Sequence, residues 1–134
     1  MKLETCLKYL QEVGAGNKSH GKGTLLDHLQ KTYNTLVEEE QDEDVCFAGL
    51  FHSVYGTQYF THETTNDRAA VKELIGKRAE RLAWLFCNLD RGKFINYYGQ
   101  EKYPSLSGEM IDVSHQDAED LFSMYEANSI TQNV

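Results

Sequence analysis

Proline is nearly missing from this chain: of its 134 residues only Pro104 is one. With no internal repeat, no low-complexity tract and no composition shift either, nothing marks a linker, and residues 1–134 read as one domain. Cysteine is scarce as well. Cys6, Cys46 and Cys87 are an odd number set among apolar residues, which suits reduced, buried thiols of a reducing compartment better than a disulfide framework. No apolar run approaches the roughly 20 residues of a spanning helix, and Met1-Lys2-Leu3-Glu4 does not open a signal peptide, so the expected location is cytoplasmic, with no membrane partner. Positive charge is short: 13 basic against 21 acidic residues leave a net charge of −8. That balance argues against nucleic acid as a partner and leaves room only for a small basic pocket. A chain of this length buries roughly two-thirds of its unfolded surface and needs no metal or disulfide merely to fold.

What is present is helical periodicity. Leu3, Leu7, Leu10 and Val13 predict a first helix stopped by Gly14. Thr24 is a candidate N-cap for a second, whose apolar face carries Leu25, Leu26, Leu29, Tyr33, Leu36 and Val37 and which ends in a turn at Glu38-Glu39-Glu40. From Asp42 to Tyr55 the pattern is apolar on all sides, so this third helix is the buried centre, and it carries His52. Residues 57–66 read as loop. Two more helical patterns, 67–75 and 77–90, meet at Gly76, and Asp90 falls within the apolar face of Ala79, Leu82, Ala83, Phe86 and Leu89. Residues 91–113 show no period and read as loop with a short strand or hairpin. Ser114 and Asp117 resemble a capping box, and Ala118, Leu121, Phe122 and Tyr125 line a last helix ending near Asn128. The expected fold is all-α, five to six helices around the central segment at about 43–55.

Few residues carry chemistry. The run Gly16 to Thr24 comes close to a phosphate-binding loop but has Gly23 between lysine and hydroxyl and follows a helix, so that reading is rejected. Its His20 could fold over a pocket mouth. His28 sits at the edge of the second helix's apolar face, His52 in the buried helix and Asp90 on a third face. Nitrogen and oxygen donors from three helices could make a metal first shell with positions left for water or substrate. A buried histidine and aspartate hydrogen-bonded to each other, with no metal, is the competing reading, and spacing alone does not separate the two. Ser53 follows His52 with its side chain about 100° away on a helix, so His52 cannot activate it directly. Arg91 is placed to reach an anionic group. Tyr97, Tyr98, Phe94 and Tyr103 read as cover for the core.

His20, Thr24-Leu25-Leu26-Asp27-His28-Leu29, Ala48-Gly49-Leu50-Phe51-His52-Ser53-Val54-Tyr55-Gly56-Thr57, Arg78-Ala79-Glu80-Arg81-Leu82-Ala83 with Phe86, and Asp90-Arg91 together resemble a family of small proteins of unassigned function, itself similar to a divergent branch of the HD-domain fold. The resemblance spans roughly residues 20 to 91. It implies a helical, metal-dependent phosphohydrolase, with an oxygenase branch that uses two irons. In that family a histidine, an adjacent His-Asp pair and a later aspartate hold the metal. His28 matches the first, His52 the histidine of the pair and Asp90 the last, while Ser53 stands where the pair's aspartate should be. Losing that carboxylate removes an anionic ligand and a bridge between ions, so the expectation becomes one divalent ion (Fe, Mn or Zn) held by His28, His52 and Asp90, or none. The expected activity is hydrolysis of a small phosphorylated metabolite, with His20, Ser53, Tyr55 and Arg91 contacting substrate and no catalytic acid or base assigned. A non-catalytic domain binding a small ligand or a protein, and an iron oxygenase, are the alternatives. Oligomeric state is left open.

Overall fold

Capping side chains set where the helices begin. Thr24 accepts from the Asp27 N–H while the Asp27 carboxylate accepts from the Thr24 N–H, a complete capping box. Asp42 accepts from Val45 N–H, Asp67 from Ala70 N–H and Ser114 from Asp117 N–H, each such cap stabilising its helix by about 1 kcal/mol. The structure, a computed structural model, describes residues 2–20, 23–61 and 63–132, and of Ser19, His20 and Gln132 it describes the backbone. Among the described residues the order is α1 (Lys2–Glu12), a 3-10 turn, β1 (Ser19–His20), β2 (Gly23–Thr24), α2 (Leu25–Glu38), α3 (Glu43–Leu50), α4 (Arg68–Ile75), α5 (Lys77–Asn88), α6 (Arg91–Tyr97), β3 (Lys102–Pro104), β4 (Met110–Asp112) and α7 (His115–Gln132). The chain is predominantly helical. Two short antiparallel hairpins, β1–β2 and β3–β4, complete it, the second in the register Tyr103↔Ile111.

α2 packs against α3 and α7, and α5 against α3, α4 and α7. Leu29 and Leu36 of α2, Ala48 of α3, Phe51 just after it, Leu82 and Phe86 of α5, and Leu121 and Met124 of α7 meet in one buried cluster. Gly49 allows α2 and α3 to approach closely, because a Cβ there would collide with Leu36 Cδ1. α7 is tied to α5 through Arg78, which reaches Asp120 and, at 3.4 Å, Asp117. The three thiols are free and buried. Burial pushes Cys6 and Cys46 up to about 11 and Cys87 to about 12, which leaves them unreactive at neutral pH. No helix of the described residues is long and apolar enough to cross a membrane.

Three boundaries depart from the periodicity, each for a local reason. α3 stops at Leu50 instead of running to Tyr55, and the chain continues in turns closed by His52 N–H to Gly49 C=O (3.3 Å) and Val54 N–H to Phe51 C=O (3.2 Å). α5 stops at Asn88, so Asp90 does not lie on its face; the Asp90 N–H instead donates to the Pro104 carbonyl at 3.0 Å. A seventh helix, α6, occupies part of the stretch read as loop, and Phe94 is its one buried residue. One apolar anchor over two turns leaves no period to read.

Candidate functional site

His28 lies on α2 with its side chain buried, and the tight turn after α3 brings His52 to it. The two Nε2 atoms are 3.2 Å apart, and the rings meet edge-on with centroids at 5.0 Å. The third member comes from α7: Asn128 Oδ1 is 2.8 Å from His28 Nε2 and 3.1 Å from His52 Nε2. All three residues are at least 95 % buried. On its far side, His52 Nδ1 is 2.7 Å from the Gly49 carbonyl. A carbonyl only accepts, so Nδ1 carries the proton and the neutral ring presents a bare Nε2 lone pair to the centre. The turns after α3 are what allow this, since they fold the ring back onto its own helix end. His28 Nδ1 faces Thr131 Oγ1 at 3.4 Å, a hydroxyl that also contacts Thr32 Oγ1 at 3.1 Å.

Burial is the largest cause holding His52 far below its ordinary value, at about 3, and the nearness of His28 and the charge of Arg91 push the same way against the bond to Gly49. The unfolded chain takes up this proton near 6.5 and the folded one near 3. Between those values the unfolded state binds more protons, so His52 makes the protein less stable as pH falls, by up to about 1.4 kcal/mol per pH unit. We expect chelator-treated His52→Gln protein to lose stability less steeply than wild type between pH 6.5 and 4 in urea titrations. An equal slope would show that His52 is not held neutral.

Beside the pair is a small cavity. His52, Ser53, Phe86, Arg91 and Asn128 form its walls, and Thr57, Tyr59 and Phe60 cover it. About 10 Å³ is open to the centre of a water molecule, close to the minimum one water needs. The Arg91 guanidinium lies 4.5 Å from the Phe86 ring centroid, 5.0 Å from Tyr59 and 5.3 Å from Tyr125. Burial lowers its pKa, and no carboxylate among the described residues forms an ion pair with it.

Of the expected site, His28 and His52 come together, and Ser53 and Arg91 line the adjoining cavity. Asp90 is elsewhere: its Oδ1 accepts from Gln58 Nε2 at 3.2 Å, and Lys93 Nζ is 3.9 Å from its Oδ2. Among the described residues no three His, Cys, Asp or Glu side chains are arranged to hold an ion. Tyr55 also points away, donating to Glu80 Oε2 at 2.8 Å. That buried carboxylate is shared with Arg68, whose Nε donates at 2.7 Å, so Tyr55 is committed to the α4–α5 contact. The His20 side chain, with Gly21 and Lys22, lies outside the described residues. Asn128 was missed, although Ala118, Leu121, Tyr125 and Asn128 follow i, i+3, i+7 and i+10 along one face of α7.

No curated protein and no solved structure matches the chain. A family model does, over residues 9–91. That span holds His28, His52, Ser53, Asp90 and Arg91 and stops before Asn128, and it covers more than half of the chain, which therefore belongs to the family described as domain of unknown function DUF6817.

Proposed function

We propose that this protein is a metal-dependent hydrolase-like protein of HD-like fold, acting on a small phosphorylated metabolite at a mononuclear site of His28, His52 and Asn128. The observation that carries the reading is the mutual spacing of three donor atoms, 2.8, 3.1 and 3.2 Å. Nitrogen and oxygen donors this close to one another could hold one first-row ion between them. His52 also has the outer hydrogen bond, Nδ1–H to the Gly49 carbonyl, that orients a ligating imidazole. Two imidazoles and an amide oxygen suit Fe, Mn or Zn better than Mg or Ca. When bound, such an ion would supply Lewis-acid polarisation of a phosphoryl oxygen and lower the pKa of a water. The protein's own part is to hold His52 neutral at physiological pH, keep the donors dry and present Ser53 and Arg91 beside them. The donor set is uncharged, so the substrate's negative charge offsets that of the ion. With Ser53 in place of a carboxylate there is no bridging ligand, which favours one ion over two and disfavours the di-iron oxygenase.

A second reading rests on the same distances. One proton on His28 Nε2, shared between Asn128 Oδ1 and the His52 Nε2 lone pair, satisfies the centre without an ion, and the protein is then a non-catalytic binder of a small ligand or a protein. The readings separate in a panel of phosphomonoesters with added Mn²⁺, Fe²⁺ or Zn²⁺. Metal-dependent turnover that disappears in His28→Gln supports the hydrolase. Its absence with every metal, in protein that is folded and binds one of the esters, supports the binder.

A further inference from the structure

Five buried side-chain N or O atoms among the described residues have no hydrogen-bond partner, and three of them gather in one place: Ser53 Oγ, Arg91 Nε and the Tyr125 hydroxyl. Ser53 and Arg91 line the cavity beside His52, and the Tyr125 ring packs 5.3 Å from the Arg91 guanidinium. Each of these atoms can donate a hydrogen bond. An unpaired buried donor costs about 1–3 kcal/mol, and a charged one more, so three together are costly unless something with several acceptor lone pairs completes them. Arg91 is the most telling. In a chain with 21 acidic residues, none of the described ones pairs with this guanidinium, and three aromatic rings hold it in place instead. A cation whose desolvation is already met by rings is ready to receive an anion.

We propose that Arg91 and Ser53 form a seat for one phosphoryl-sized oxyanion, beside the metal donors, and that the turn Thr57–Phe60 is its cover. As an account of substrate choice this rests on the hydrolase reading; as a binding site it needs no metal. Donors on different walls suit a tetrahedral oxyanion better than a planar carboxylate. The cavity, with about 10 Å³ open to the centre of a water molecule, is too small for phosphate as it stands, so a wall has to move. His52, Phe86 and Asn128 are at least 97 % buried, whereas Tyr59 is 65 % exposed and follows Gly56, whose φ of 83° gives the chain a glycine bend there. The turn is closed by Thr57 N–H to the Phe60 carbonyl (2.6 Å) and Phe60 N–H to Thr57 Oγ1 (2.9 Å). The Gln58 amide latches it to α6, donating to Asp90 Oδ1 at 3.2 Å and accepting from Arg91 N–H at 2.9 Å.

The test is calorimetric titration of chelator-treated, full-length protein with inorganic phosphate and with glycerol phosphate, using chloride and acetate at matched ionic strength as controls. We expect one phosphate per chain, binding weakened about tenfold in Ser53→Ala and at least a hundredfold in Arg91→Gln, with the controls silent. Binding of the ester but not of free phosphate also supports the seat and names the source of the anion. Absence of saturable binding by either, or binding unchanged in Ser53→Ala, overturns the proposal. If Arg91→Gln fails to fold, Ser53→Ala and Arg91→Lys decide between these outcomes. Because metal is excluded throughout, phosphate binding by a protein that binds no metal leaves the seat standing and removes the hydrolase, and metal binding without phosphate binding does the reverse.

Discussion

Replacing His52 with glutamine is expected to lower the affinity for Zn²⁺ at least a hundredfold, equivalent to about 2.7 kcal/mol, and to abolish any metal-dependent turnover. Glutamine is close in volume and its amide can still donate toward the Gly49 carbonyl, so the change removes the Nε2 lone pair with little disturbance of the turn that holds it. His28→Gln is expected to do the same from α2. Asp90→Asn provides the contrast. The sequence pattern makes Asp90 a ligand, whereas its carboxylate is hydrogen-bonded to Gln58 and near Lys93, so Asp90→Asn is expected to keep zinc affinity within about twofold. Competition against a chromophoric chelator measures all three variants. A hundredfold loss in Asp90→Asn with none in His52→Gln would reject the centre described here.

Phe86→Ala is expected to cost about 3–5 kcal/mol of folding stability. Phe86 is 1 % exposed, its ring centroid is 4.7 Å from that of His52 and 4.9 Å from that of Tyr125, and the Arg91 guanidinium lies 4.5 Å from it. One ring therefore serves the core of α5, the wall beside His52 and the cage around Arg91. The helices on both sides are fixed by their own contacts, α7 through Arg78 and Asp120 and α3 through its close approach to α2, so the space is not expected to collapse. Urea unfolding should show the midpoint falling at an unchanged slope. A loss below about 1 kcal/mol would mean that this face of α5 is not packed as described.

The helical architecture was legible because its signals are local. Caps at Thr24 and Ser114 and glycine ends at Gly14 and Gly76 need only a few neighbouring residues, and each holds in the structure. The cluster of His28, His52 and Asn128 was half legible. His28 and His52 stood out as histidines in apolar surroundings, and their meeting is the product of helix packing. Asp90 misled because the helical wheel was extended two residues past the real end of α5, where pairing with Pro104 takes the chain out of the helix. Asn128 was passed over for the opposite reason, the helix having been ended near the residue that completes the centre. Nothing in the local sequence could show that Arg91 lacks a carboxylate partner, since that depends on where every acidic side chain lies after folding.

Long-range ¹H–¹⁵N spectra of the histidine rings, recorded as Zn²⁺ is added to metal-free protein, report whether His28 and His52 share one ion. Without metal, His52 should appear as the neutral Nδ1–H form at neutral pH. One equivalent of zinc is expected to shift the Nε2 resonances of His28 and His52 together and to move the His28 proton to Nδ1, toward Thr131. Saturation by zinc with both Nε2 resonances unmoved, or no binding of zinc at all, would contradict a shared ion.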